Sequence, residues 1–229
     1  MHSRDDDRHG RRTTFDVDAI IFDCDGVLVD SAVSVERSAR RWAEHFGLDA
    51  DAVLADIHGR TSRATAERWL RPEAVDAAAT LMEQMEVDDA AAVREVPGAG
   101  ALLATIPADR WAVVTSGTQP LFRARLAAAA LSAPRIAVTA EDVERSKPHP
   151  DGYARALDLL GVDPARAVVL EDAVAGIAAA RAAGVRWVVR VGRGGDLSGE
   201  DAVIRDLRDA SWTGRLELSG GGWRRADPA

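Results

Sequence analysis

Lysine is nearly missing from this chain. One lysine, Lys147, stands against 28 arginines in 229 residues. Wherever a surface cation suffices the sequence uses arginine, so the lone lysine marks a place for a compact ammonium that a planar guanidinium cannot replace. Cysteine is as scarce: Cys24 alone excludes an internal disulfide and fits a reducing compartment. No apolar run approaches the roughly 20 residues of a membrane span. The opening stretch MHSRDDDRHGRRTT lacks the apolar segment of a secretion signal. We therefore expect a cytoplasmic protein with no membrane partner. Positive charge is not in surplus: the formal net charge is -8, which argues against nucleic acid as a partner. The six tryptophans are scattered and suggest no platform for stacking bases.

What is present is 47% hydrophobic and 29% charged, enough for a well-buried core in one large or two small domains. Residues 1–14 read as a mobile, solvated arm and residues 216–229 as a loose tail. Ala19–Phe22 is a short apolar strand. Residues 31–95 then carry only helical patterns, SAVSVERSARRWAEHFG, DADAVLADIHG, SRATAERWL and a segment opening at Pro72, with no convincing strand. After residue 96 short apolar runs at Trp111–Val114, Ile136–Val138, Ala167–Leu170 and Val185–Val191 alternate with helical stretches. That alternation implies right-handed crossovers and a doubly wound parallel sheet, an α/β Rossmann-like core. The first strand belongs to the same set. The core is then discontinuous, residues 15–30 with 96–215, and residues 31–95 are an α-helical cap inserted after the first strand.

In an open parallel sheet, ligands bind beyond the carboxyl ends of the strands. Asp23 and Asp25 follow the first strand there, Thr115-Ser116-Gly117-Thr118 follows Trp111–Val114, and Glu171-Asp172 follows Ala167–Leu170. Lys147 sits in a loop that Pro148 and Pro150 keep from becoming helix. Residues i and i+2 of a strand point the same way, so Asp23 and Asp25 repel each other and each raises the other's pKa. A cation between them relieves this. Grouped carboxylates without soft ligands select a hard ion, Mg2+. Hydroxyls, a glycine-flanked turn and a lysine suit a phosphate. Metal with phosphate means phosphoryl transfer, in which a carboxylate can be the nucleophile.

With Asp23-Cys24-Asp25-Gly26-Val27-Leu28, Thr115-Ser116-Gly117, Lys147-Pro148 and Glu171-Asp172 in this order, the sequence resembles the haloacid dehalogenase-like hydrolases over roughly residues 17–207. The resemblance implies Asp23 as nucleophile and Asp25 as general acid/base. It implies Thr115, Ser116, Gly117 and Lys147 as phosphate binders, with Lys147 also orienting Asp23. Magnesium falls to the Asp23 carboxylate, the Asp25 backbone carbonyl and Asp172, with Glu171 assisting. The insertion is similar to the small cap of the phosphoglycolate phosphatase and β-phosphoglucomutase subgroup, and the motifs look most like glycerol-phosphate and 2-deoxyglucose-6-phosphate phosphatases.

The expected activity is hydrolysis of small sugar or polyol phosphates. A β-phosphoglucomutase-type isomerase is the alternative. That family carries a histidine at the position that, counted from Asp30, is Val35 here. Dehalogenation needs neither Asp25 nor a metal, and phosphonate hydrolysis needs a cap lysine that residues 31–95 lack. A non-catalytic sugar-phosphate binder should have lost a catalytic carboxylate, and none is missing. Cys24, between the aspartates, should point into the core; His45 should pack in the cap and His149 lie in a loop. His58, Arg60 and Thr61, in a turn between cap helices, are candidates for substrate contact. A monomer is expected, with a dimer as the alternative.

Overall fold

A computed structural model describes residues 12–57, 60–192, 199–220 and 223–225. The chain enters through β1 (Thr13–Phe15) and β2 (Ala19–Phe22). All four residues of β2 are buried, as expected of a strand covered on both faces. β3 (Val29–Asp30) leads out into four helices: α1 (Ala32–His45), α2 (Ala50–Asp56), α3 (Ser62–Trp69) and α4 (Val75–Asp88). The chain returns through β4 (Arg94–Glu95), which pairs antiparallel with β3. A two-stranded ribbon is thus the neck of the insertion. Asp49 and Thr61 cap α2 and α3 by accepting backbone N–H groups of the first turn. The insertion has its own core, in which Trp42 is fully buried with Ala39, Val53, Ala66, Ala78 and Met82, and its indole N–H donates to the Ala78 carbonyl at 2.8 Å.

The rest alternates as its pattern demands: α5 (Ala99–Leu103), β5 (Trp111–Val114), α6 (Gln119–Ala128), β6 (Ala137–Val138), α7 (Asp151–Leu160), β7 (Ala167–Glu171), α8 (Val174–Ala182) and β8 (Trp187–Val191). Then come β9 (Ala202–Ile204), β10 (Ala210–Trp212), β11 (Leu216–Leu218) and β12 (Trp223–Arg225). The main sheet runs β12-β9-β8-β7-β2-β5-β6 and is parallel except at β12. Alternate residues of one strand face opposite layers: Ile20 and Phe22 lie in one apolar cluster, Ile21 in the other. The fold is the expected doubly wound α/β core. Cys24 is buried in the first of these clusters.

Both terminal boundaries need correction. Thr13 and Thr14, assigned to the arm, lie in β1, which pairs with β11. The tail expected to be loose from residue 216 supplies β11 to a three-stranded sheet β1-β11-β10 and β12 to the edge of the main sheet. Leu216 and Leu218 are fully buried and Glu217 between them is not. Three residues carry too little of a two-residue period to stand out beside a glycine-rich stretch.

Candidate active site

Strand order decides where the site falls. From β2 the chain first builds outward to β5 and β6, then returns to β7 on the other side of β2. The carboxyl ends of β2 and β7 flank the crevice that such a reversal leaves. Asp23 leaves β2 there, with its N–H bonded to the Leu170 carbonyl of β7 at 2.9 Å. Glu171 is the last residue of β7 and Asp172 follows it.

Lys147 reaches this point from the loop before α7. Its ammonium donates to Asp23 Oδ1 at 2.5 Å and to Glu171 Oε1 at 2.6 Å, and lies 5.3 Å from the Tyr153 ring centre. The Tyr153 hydroxyl donates to the same Glu171 oxygen at 2.9 Å. The other Glu171 oxygen accepts the N–H groups of Asp172 and Ala173 at 2.8 and 2.9 Å. The ion pair is buried: the Lys147 and Asp23 side chains are 7% and 9% exposed and Glu171 is 0%. Burial works against the ammonium, yet Asp23 and Glu171 outweigh it and hold the Lys147 pKa well up. Burial drives the Asp23 pKa well up; Lys147 opposes this, and Glu171, Asp172 and Asp25 add to it. Burial, then Glu171, lifts Asp172 to about 7.

One ammonium among three close carboxylates leaves a net negative charge. Asp23, Glu171 and Asp172 each bring an oxygen within 4.8 Å of the others. An all-oxygen set in which burial, before the neighbouring carboxylates, raises the Asp23 and Asp172 pKa values fits a hard cation. Two glycines make room for it. A Cβ on Gly176 would stand 1.6 Å from Glu171 Oε1, and one on Gly26, at φ +75°, 2.1 Å from Asp172 Oδ2.

Asp25 is held separately. Ser31 donates to its Oδ1 at 2.6 Å and Arg125 Nη1 to its Oδ2 at 2.8 Å. Ser31 occupies the N-cap position of α1 but makes no side-chain cap bond. Arg125 Nη2 also donates to Glu86 of α4 at 3.2 Å. Burial, opposed by Arg125, lifts Glu86 to about 7. Sequence reasoning missed Ser31, Arg125 and Glu86. A signal existed: Arg125 shares the buried stripe of α6 with Leu121, Phe122 and Leu126, and Glu86 that of α4 with Ala78 and Met82.

These groups line one cavity of about 170 Å³. Asp23, Asp25, Lys147, Glu171, Asp172, Ser116 and Gly117 form its floor, and Val35, Ile57, Arg60 and Met82 come from the insertion. Thr115 lies beside it, lining a smaller cavity with Thr61 and His149, and its hydroxyl accepts the Gly117 N–H at 3.0 Å. Thr61 spends its hydroxyl oxygen on the Ala64 N–H. Arg60 is bonded to Asp56 at the carbonyl and the carboxylate. His58 lies outside the described residues. His45 stacks edge-on against Phe46.

A capped doubly wound sheet with this acidic crevice defines a class, and the chain belongs to it: the family model for haloacid dehalogenase-like hydrolases matches residues 20–190. Hexitol phosphatase A of Escherichia coli (strain K12) is 41% identical over 204 residues, 84% of this chain and 93% of that protein. 2-Deoxyglucose-6-phosphate phosphatase 1 of Saccharomyces cerevisiae (strain ATCC 204508 / S288c) is 30% identical over 227 residues, 86% of this chain and 91% of that protein. Among solved structures, CbbY from Rhodobacter sphaeroides in complex with phosphate has the same fold. Its TM-score is 0.71 at 24% identity, over 84% of this chain and 96% of that one. Among the described residues, no helix is long and apolar enough to cross a membrane.

Proposed function

We propose that this protein is a magnesium-dependent phosphatase that hydrolyses small sugar or polyol phosphate monoesters through an aspartyl phosphate on Asp23. The observation that carries the reading is Asp23 itself. It is a buried carboxylate paired with Lys147 and flanked by Asp172. A second carboxylate, two residues on, lines the same cavity but is held apart by its own donors. One carboxylate is oriented to attack and the other to handle protons. Asp23 attacks phosphorus, the ester P–O bond breaks, and Asp25 gives its proton to the departing alkoxide. Asp25 then takes a proton from water as that water attacks phosphorus, which frees inorganic phosphate and restores the Asp23 carboxylate. Lys147 orients Asp23 and binds phosphoryl oxygen, with Ser116 and Gly117 as neighbours. Asp23, Asp172 and the Asp25 carbonyl would hold magnesium, which supplies charge neutralisation at the phosphoryl group. Both Glu171 oxygens already accept two hydrogen bonds each, so Glu171, close as it lies to Asp23 and Asp172, would assist the magnesium site by ordering Lys147 and Tyr153 and not as a direct ligand.

The substrate class rests on size and on relatives. A cavity of about 170 Å³ roofed by the insertion suits a compact ester and excludes a polymer. Hydrolysis rather than isomerisation is favoured because Val35 lines the cavity where the mutase pattern asks for a histidine. Steady-state assays on a panel of hexitol, glycerol, deoxysugar and glycolate phosphates, with magnesium and then with excess chelator, test the proposal. We expect phosphate release from one polyol or sugar phosphate, lost on chelation and restored by magnesium. Full activity in chelator, or preference for phosphopeptides or polynucleotide ends, would overturn it.

A further inference from the structure

Arg125 is a charged side chain in an expensive place. It is 5% exposed, and its Nε has no hydrogen-bond partner among the described residues. A buried ion pair often does no better than an apolar replacement, and an unbonded buried N–H adds a penalty. Stability is therefore a weak reason for it. The two bonds it does make are specific. One fixes Asp25 Oδ2 at 2.8 Å and the other reaches Glu86 Oε2 at 3.2 Å, on helix α4 of the insertion. Ser31, where the neck passes into α1, fixes the remaining Asp25 oxygen. Glu83, one turn before Glu86, is bonded to the Thr118 hydroxyl beside the start of α6. The α4 and α6 helices are thus stapled at two points. The inner staple runs on to the carboxylate that, in the reading above, handles protons.

We propose that Arg125 is a positioning residue that fixes the Asp25 carboxylate for proton transfer, and that Glu86 ties this placement to the seating of the cap helix α4. The proposal rests on the phosphatase reading. It assigns no proton to Arg125, which stays a cation throughout. Its role is to choose which way Asp25 faces. With Arg125 and Ser31 on its two oxygens, Asp25 has one orientation toward the cavity. Without Arg125, Ser31 alone permits others. Because α4 carries Glu86 and also contributes Met82 to the cavity wall, a ligand that moves α4 moves a partner of Arg125.

The experiment compares Arg125→Met with Asp25→Asn as reference, using sugar phosphate and p-nitrophenyl phosphate. Protonation matters for an alkoxide leaving group and hardly at all for nitrophenolate. We expect Arg125→Met to lower kcat on the sugar phosphate by about 10²-fold, the scale of a general acid/base contribution, with KM changed less than about threefold. In single turnovers with enzyme in excess, nitrophenolate release should stay within about threefold of wild type, because attack by Asp23 is untouched. Glu86→Gln should show a smaller loss of the same pattern. If Arg125→Met does not fold, Arg125→Met/Glu86→Gln removes the stranded buried carboxylate and is measured instead. The proposal is overturned if the sugar phosphate is turned over at the wild-type rate. It is also overturned if nitrophenolate release falls in step with turnover, since a merely structural residue would disturb the nucleophile as well. Wild-type protein inert toward every phosphate ester would instead sink the phosphatase reading.

Discussion

Lys147 places one ammonium between two carboxylate oxygens 2.5 and 2.6 Å away and against the face of Tyr153. A guanidinium spreads its charge over a plane and cannot bring one nitrogen to all three partners without displacing one. Lys147→Arg should lose on the order of 10²-fold or more in kcat/KM, despite the chain's habit of using arginine, and its melting temperature should fall by several degrees. Retained activity in the purified variant would make the lone lysine an accident. Asp23→Asn should lower turnover on the order of 10³-fold or more, the scale on which nucleophile removal acts. Its Tm should equal or exceed that of wild type, since burial and the neighbouring Glu171 and Asp172 penalise the charge removed. Near-normal turnover in variant protein checked for deamidation by mass spectrometry would count against the mechanism. The residues of this cluster are legible in sequence because several depend on rigid offsets from strand ends. Arg125 and Ser31 are not. The apolar stripe of α6 marks Arg125 as buried but not what it binds, and Ser31 is an ordinary helix-cap residue; their importance comes from a partner 100 and 6 residues away.

Helices show the same contrast between local signal and partner. The start of α8 runs so close to β7 that only hydrogen fits at position 176, where a Cβ would meet Glu171 at 1.6 to 2.6 Å. Gly176→Ala has good helix propensity and should still be harmful. We expect a loss of about 2 kcal/mol or more from overpacking together with a large fall in turnover, as Glu171 lets go of Lys147; paired melting and kinetic curves would check this. Unchanged stability would mean that Glu171 has another place to go. At the α4–α6 contact, Glu86 has its pKa raised from 4.5 to about 7, chiefly by burial. A raised carboxylate binds more protons folded than unfolded between those values, so its contribution to stability is present below about 4.5 and lost as pH rises through about 7. Thermal melts from pH 5 to 8 should therefore decline less in Glu86→Gln than in wild type. Parallel curves would show that Glu86 keeps its ordinary pKa. That α1 and α4 are helices was legible from their periodicity. The two-residue strands β3 and β4 were not, because a ribbon of that length is fixed by its partner.

At the scale of the whole molecule, the insertion was legible because the sequence changes period there, from alternating strand and helix to helix alone. The closure of the chain ends was not legible, and it makes the sharpest whole-molecule prediction. β11 lies between β1 and β10 in the small sheet and is bonded to both, so its loss strands both. Leu216 and Leu218 sit at 0% exposure in the same apolar cluster as Phe22 of β2 and Leu170 of β7. Burying two leucines is worth about 3–6 kcal/mol, a large part of the 5–15 kcal/mol typical of a domain. Ending the chain at Arg215 also removes β12 and bares the β9 edge to solvent, which invites association between copies. The shortened protein should melt about 6–24 °C below the full chain, at the usual 2–4 °C per kcal/mol for this size, and should aggregate at concentrations where the full chain does not. Scanning calorimetry with light scattering reads both. A shortened protein with unchanged melting and scattering would mean that the last fourteen residues add nothing to the core they cover.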